Sequence, residues 1–168
     1  MYKYMEKCAS LQVIASAAER ARELPVNRRL WVLCHGVFDI FHFGHLVHLQ
    51  QAKACGDVLV VAILADRFVR KGPGRPYFRQ LERAQVLAAL TIVNYVTIIR
   101  SSVAMPALKA LRPDVYCKGS DYQDPRNPFI EAFNRERGFV ESYGGRVVLT
   151  EGRVAGSSAL LEKSNGRL

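Results

Sequence analysis

The stretch LWVLCHGVFDIFHFGHLVHLQ, residues 30–50, decides the fold. It opens on an apolar run of strand length, Leu30–His35, and turns over Gly36–Phe41. From Phe43 to Cys55 the pattern is helical, and Gly56 suits a helix C-cap. A strand that turns sharply into a helix starts an alternating α/β chain.

The alternation continues outward. Asp57–Leu64 is a β-branched run and the clearest strand. A basic loop over 66–78 holds Gly72, Pro73, Gly74 and Pro76. The pattern then predicts a helix at Arg79–Leu90, a strand at Tyr95–Ile99, a helix at Ala104–Leu111 and a strand at Val115–Lys118. A polar loop at 119–128 leads to a helix at Phe129–Ser142, closed by Gly144–Gly145. A last strand at Val147–Thr150 and a short helix from Ser157 follow. On the N-terminal side, Leu11, Ile14, Ala18, Ala21 and Leu24 keep helical spacing, and Pro25 ends that helix.

This predicts one domain over 1–168, with an N-terminal helix within 1–27 and a core over 28–168. The expected fold is a Rossmann-like α/β domain. Its five-stranded, mainly parallel sheet carries helices on both faces. Ligands of such sheets bind at the carboxyl ends of the strands, where strand order reverses. Gly36–His45, Asp66–Arg79 and Lys118–Tyr122 all follow strands and are expected on one rim.

Composition narrows the partners. At 168 residues, 49% hydrophobic and 23% charged, the chain can build a full core and is not a disordered sequence. The longest apolar run, Val58–Ala65, is too short to cross a bilayer as a helix. Lys3 and Lys7 precede CASLQVIASAA, but Ser10, Gln12 and Ser16 interrupt it, so an amphipathic helix is expected there rather than a cleaved leader. Lys and Arg number 24 against 15 acids, a net charge of +9 that favours anionic partners. Six basic residues fall between Arg67 and Arg83, where Glu82 is the only acid. No basic stretch alternates with aromatics, so nucleic acid is not an expected partner. Cys8, Cys34, Cys55 and Cys117 are widely spaced with no CxxC pair, which reads as reduced thiols in a cytoplasmic protein.

The chemistry concentrates in GVFDIFHFGH, residues 36–45. Gly36 lets the chain turn and a ligand approach the backbone. His42 and His45 fall at a helix start, where free N–H groups and the helix dipole attract phosphate. Gly44 between them leaves room for that group. His42, His45 and His48 drift around a helix and have only Asp39 nearby, so no metal site is expected of them. Ser157 and Ser158 suit an N-cap, and their helix start suits phosphate as well.

These residues resemble the HxGH signature of the nucleotidyltransferase superfamily, which includes cytidylyltransferases and small adenylyltransferases. Gly36, Phe38, Asp39, His42, Gly44 and His45 match it, a coincidence on the order of 10⁻⁸ per start position at average residue usage. KGPGRP (71–76), ERAQVLAAL (82–90), LRPDVYCKGSDY (111–122) and YGGRVVL (143–149) extend the resemblance in order. It looks closest to the domain that adenylylates heptose 1-phosphate, and to related sugar-phosphate and glycerol-phosphate cytidylyltransferases. Three features depart from the heptose enzymes: a longer stretch between Tyr122 and Gly144, Gly156-Ser157-Ser158 in the terminal motif, and His35 where a small residue is usual.

The resemblance implies transfer of a nucleoside monophosphate from ATP or CTP to a phosphorylated acceptor, expected to be a sugar 1-phosphate, with Mg²⁺ carried mainly by the NTP phosphates. It implies catalytic roles for His42, His45 and Lys71. It places Gly36, Val37, Phe38, Gly44, Arg83, Lys118, Asp121, Ser157 and Ser158 at the nucleotide, and Asp39 and Arg75 at the acceptor. A homodimer is the family expectation. Two alternatives stay open at this point: a glycerol-3-phosphate-type cytidylyltransferase, and a non-catalytic nucleotide- or RNA-binding module.

Overall fold

The computed structural model describes residues 4–23 and 28–151. Its sheet has five strands: β1 (Trp31–Gly36), β2 (Val58–Leu64), β3 (Tyr95–Ile99), β4 (Val115–Gly119) and β5 (Arg146–Thr150). They lie in the order β3-β2-β1-β4-β5, and every neighbouring pair is parallel. The helices are α1 (Leu11–Glu23), α2 (Phe43–Ala54), α3 (Gln80–Ala89), α4 (Met105–Leu111) and α5 (Ile130–Ser142).

Alternation along the strands builds a core on each face. Trp31, Leu33, Val58, Val60 and Tyr116 pack with Ile14 and Ala18 of α1, Leu108 of α4 and Phe133 of α5. Val32, Cys34, Leu59, Val61 and Ile63 pack with Leu49 of α2 and Leu87 of α3. Burying one such aliphatic side chain stabilises the fold by about 1.5–3 kcal/mol. β2 is buried along its whole length, which is why it reads as an unbroken apolar run rather than an alternating one.

The sheet has its switch point between β1 and β4. The chain winds from β1 to β2 and β3, then crosses back to β4 and β5 on the other side. The crevice above that point receives the segments after β1 and β4.

The N-terminal segment is more than a helix. A 3₁₀ turn at Met5–Lys7 precedes α1, and Cys8 makes a parallel bridge to Val96 of the edge strand β3. That contact covers part of an otherwise unpaired strand edge. Two expected loops also hold 3₁₀ turns, at Asp66–Phe68 and Ser120–Gln123. The helix expected from Ser157 lies outside the described residues. All four cysteines are free thiols. No helix of the described residues is long and apolar enough to cross a membrane.

Candidate functional site

The turn after β1 is strained and held from several sides. Phe38 and Ile40 have φ of 53° and 50°, a left-handed conformation unusual for bulky residues and worst for a β-branched one. Such residues cost about 1–3 kcal/mol each and persist only where their surroundings hold them. A Cβ on Gly36 would lie 3.1 Å from the Phe38 ring, so glycine gives that ring its place. The buried Asp39 carboxylate accepts bonds from the Tyr77 and Phe78 N–H groups at 3.0 Å and pairs with Arg75 at 3.0 Å. The Arg83 guanidinium donates to the Val37 carbonyl at 2.6 Å.

The turn delivers two imidazoles to the start of α2. His42 is its N-cap residue with extended backbone, and its side chain makes no capping bond. The His42 and His45 rings stack with centroids 3.9 Å apart. Phe38 lies 5.2 Å from the His45 ring on another side. His45 Nδ1 is buried without a partner among the described residues. Burial, then the neighbouring His42 and Lys71 charges, push the His45 pKa down to about 3. His42 shifts the same way, through burial and Lys71. Both rings are therefore neutral at neutral pH, and they bring N–H donors to the site.

Lys71 stands in a loop that Gly72 (φ 95°) and Gly74 (φ 71°) bend through left-handed conformations. Its charge adds to burial in lowering the pKa of both rings. Partial desolvation, then Arg75, lowers the Lys71 pKa, and Asp39 and Asp121 oppose that shift. So His42, His45 and Lys71 come together.

Arg83 does not face the crevice. It is almost fully buried in α3, and its guanidinium donates to the carbonyls of Phe78, Val37 and Leu64 and to Asp66. These bonds form a clasp between the turn after β1, the end of β2 and the basic loop. Asp39 and Arg75 likewise hold that loop to the turn. The basic stretch thus offers less free charge than its composition suggests, because Arg75 and Arg83 are paired with Asp39 and Asp66.

Across the switch point, Lys118 is 5% exposed, donates to the His35 carbonyl at 3.3 Å and lies 3.9 Å from the Tyr122 ring centroid. Burial lowers its pKa to about 8, against the pull of Glu136 and Asp121. Asp121 is exposed on the same rim, with its carbonyl accepting from Asn127 at 3.0 Å. A Cβ on Gly119 would fall 2.5 Å from Asp121 Oδ1, so glycine lets that carboxylate fold back over β4.

His48, one turn further along α2, makes a contact that its spacing did not predict. Its Nδ1 lies 2.7 Å from Thr150 Oγ1, whose hydroxyl donates to the Lys118 carbonyl at 3.2 Å. The contact ties α2 to β5. Burial and Lys118 hold its pKa at about 4. The only hint in the sequence was its position one turn after His45. Gly44 lies in the first turn of α2 between the paired histidines. Ser157 and Ser158 lie outside the described residues. Among the described residues, no group of three or more His, Cys, Asp or Glu side chains is arranged to hold a metal ion.

A family model described as cytidylyltransferase-like matches residues 33–158. Curated relatives include the bifunctional protein HldE of Desulfatibacillum aliphaticivorans, 34% identical over 98% of this chain and 32% of that protein. The HldE protein of Geobacter sulfurreducens is 40% identical over 85% of this chain and 28% of its own length. The chain thus spans about a third or less of these relatives. Among solved structures, a lipopolysaccharide core biosynthesis protein from Thermoplasma volcanium aligns with a TM-score of 0.60 and 24% identity, over 73% of this chain and 97% of that one. A pantoate-beta-alanine ligase from Francisella tularensis aligns with a TM-score of 0.57 and 15% identity, over 84% of this chain and 65% of its own. At these identities the two structures are alike in fold.

Proposed function

The chain belongs to the cytidylyltransferase-like family of nucleotidyltransferases, and on that premise we propose that it transfers a nucleoside monophosphate from ATP or CTP to a sugar 1-phosphate, releasing pyrophosphate. The observation that carries this reading is the stacked His42–His45 pair at the open start of α2, within reach of the Lys71 charge.

An oxygen of the acceptor phosphate attacks the α-phosphorus in line. The new O–P bond forms as the bond to the β-phosphate oxygen breaks, and pyrophosphate leaves with that electron pair. The attacking oxygen is already ionised near neutral pH, so the reaction needs no general base. The protein's work is to hold two polyanions together and to stabilise charge as it develops.

Neutral His42 and His45 present N–H donors to the phosphate oxygens. Negative charge beside them raises their pKa, which strengthens them as donors while charge builds. Lys71 adds a cation from the loop, and the N–H groups at the start of α2 add dipoles. Gly36, Val37, Phe38 and Gly44 shape the backbone that the nucleotide approaches, with Lys118 and Asp121 on the opposite rim. Asp39, Arg75 and Arg83 act by holding the turn and the basic loop in register.

The Asp39 and Asp66 carboxylates are taken by arginines and backbone N–H groups, which fits a Mg²⁺ ion held by phosphate and water rather than by a protein cage. An ion held in that way would neutralise charge on the triphosphate. A cytoplasmic setting fits the nucleotide substrate and the free thiols. The homodimer is part of this reading and is checked by sedimentation.

The test is a pyrophosphate-release screen of the four NTPs against phosphorylated acceptors. Release with ATP or CTP and a sugar 1-phosphate is expected. Release only with glycerol 3-phosphate would move the chain to the alcohol-phosphate class, and none with any pair would overturn the reading.

A further inference from the structure

A second set of polar groups lies beside the phosphate site, on the sheet face covered by α1, α4 and α5. The register aligns His35 of β1 with Ala62 of β2, and Ala62 with Thr97 of β3. On the other side of His35, Lys118 reaches across from β4 to its carbonyl. The four residues form one row near the carboxyl ends of the strands. His35 is 7% exposed, Thr97 1% and Lys118 5%. Both ring nitrogens of His35 and the Thr97 hydroxyl have no hydrogen-bond partner among the described residues.

Folded proteins rarely leave such atoms unmet, and each costs about 1–3 kcal/mol. Here three fall in one row, with His35 and Thr97 about 10 Å apart across two strand spacings. The residue between them is Ala62, so only a methyl group separates them. The row starts one residue before Gly36, where the phosphate-binding turn begins.

We propose that His35, Thr97 and Lys118 bind the hydroxyl groups of the acceptor's sugar. This rests on the sugar-phosphate reading above. The donor set selects the ligand chemistry. A neutral imidazole offers one donor and one acceptor, the threonine hydroxyl offers both, and the lysine donates only. A sugar hydroxyl donates and accepts, so it can pair with all three. A second anionic group only accepts, and it would leave an imidazole lone pair facing negative charge. Burial and the Lys118 charge keep His35 neutral, in keeping with this role. Tyr122 covers the Lys118 end, so entry of the sugar shifts the Ser120–Gln123 turn.

The experiment compares wild type with His35→Leu and Thr97→Val in steady-state pyrophosphate release. The acceptors are heptose 1-phosphate, a hexose 1-phosphate and glycerol 3-phosphate, with ATP and CTP as donors. Both variants should fold with an unchanged or raised Tm, since each removes an unmet polar group. Their kcat/KM for the preferred sugar 1-phosphate should fall about 10–100-fold, mainly through the acceptor KM, with the NTP KM unchanged. Folded variants with a wild-type acceptor KM would sink the inference alone, as would a rise confined to the NTP KM. If His35→Leu does not fold, Thr97→Val is close to isosteric and carries the same test. Wild type that releases pyrophosphate with no sugar 1-phosphate would overturn the sugar-phosphate reading, and this inference with it.

Discussion

In the proposed mechanism, His45 sets a neutral ring where negative charge arrives. Removing one preorganised donor to a developing charge costs about 10²–10³-fold in rate. His42→Ala and His45→Ala should each lower kcat by that order while circular dichroism and Tm stay near wild type. Full turnover in either variant would remove the centre of the proposed mechanism. The same rings make stability depend on pH. All four histidines have lowered pKa values, His45 to about 3 and His48 to about 4, against 6.5 for the free side chain. Between those values and 6.5 the unfolded chain binds protons that the folded chain does not. Stability should therefore be flat above pH 7 and fall as pH drops below about 6.5, by up to about 1.4 kcal/mol per pH unit for each histidine engaged. Denaturant titrations from pH 8 to 4.5 measure this, and a flat profile would contradict the buried neutral rings.

At the scale of elements, the buried Arg83 clasp and the Lys71 loop separate stability from chemistry. Arg83 joins the turn after β1, the end of β2 and the start of α3, and Asp66 would lose its partner without it. Arg83→Met should cost about 2–3 kcal/mol, toward the low end for a buried pair because Asp66 is 36% exposed, and should lower kcat as the turn relaxes. Lys71→Ala should leave Tm unchanged and lower kcat more than it raises the NTP KM, because a loop cation helps most as charge builds. If only the NTP KM rises, Lys71 is a ground-state contact. The contrast follows from what sequence displays. Val58–Leu64 and Tyr95–Ile99 were legible as strands because burial writes itself into consecutive residues. The His42–His45 pair was legible because the helix start and the spacing are local. The bonds of Arg83 to Val37, Leu64 and Asp66, and of Asp39 to Tyr77, were not legible, because these partners lie 17 to 46 residues away and leave no local mark. The His35–Ala62–Thr97 row needed the register of three strands, which no single stretch encodes.

Across the whole molecule, the proposed reaction would bring two substrates together at the switch point between β1 and β4, and that geometry would set its path. A covalent route needs a nucleophile on the rim. Cys34 and Cys117 are buried in β1 and β4, so neither thiol can reach a triphosphate. His42 and His45 are neutral and could in principle accept the nucleotidyl group. The acceptor phosphate is already an ionised nucleophile, though, and the donors around it offset its repulsion from the triphosphate. A direct transfer therefore needs one displacement where a covalent route needs two. An α-phosphorothioate nucleotide of defined configuration should give product inverted at phosphorus. Labelled pyrophosphate should exchange into NTP only when acceptor or product is present. Retention of configuration, or exchange with NTP alone, would mean a phosphoramidate on one of the two histidines and would change that ring's role from donor to nucleophile.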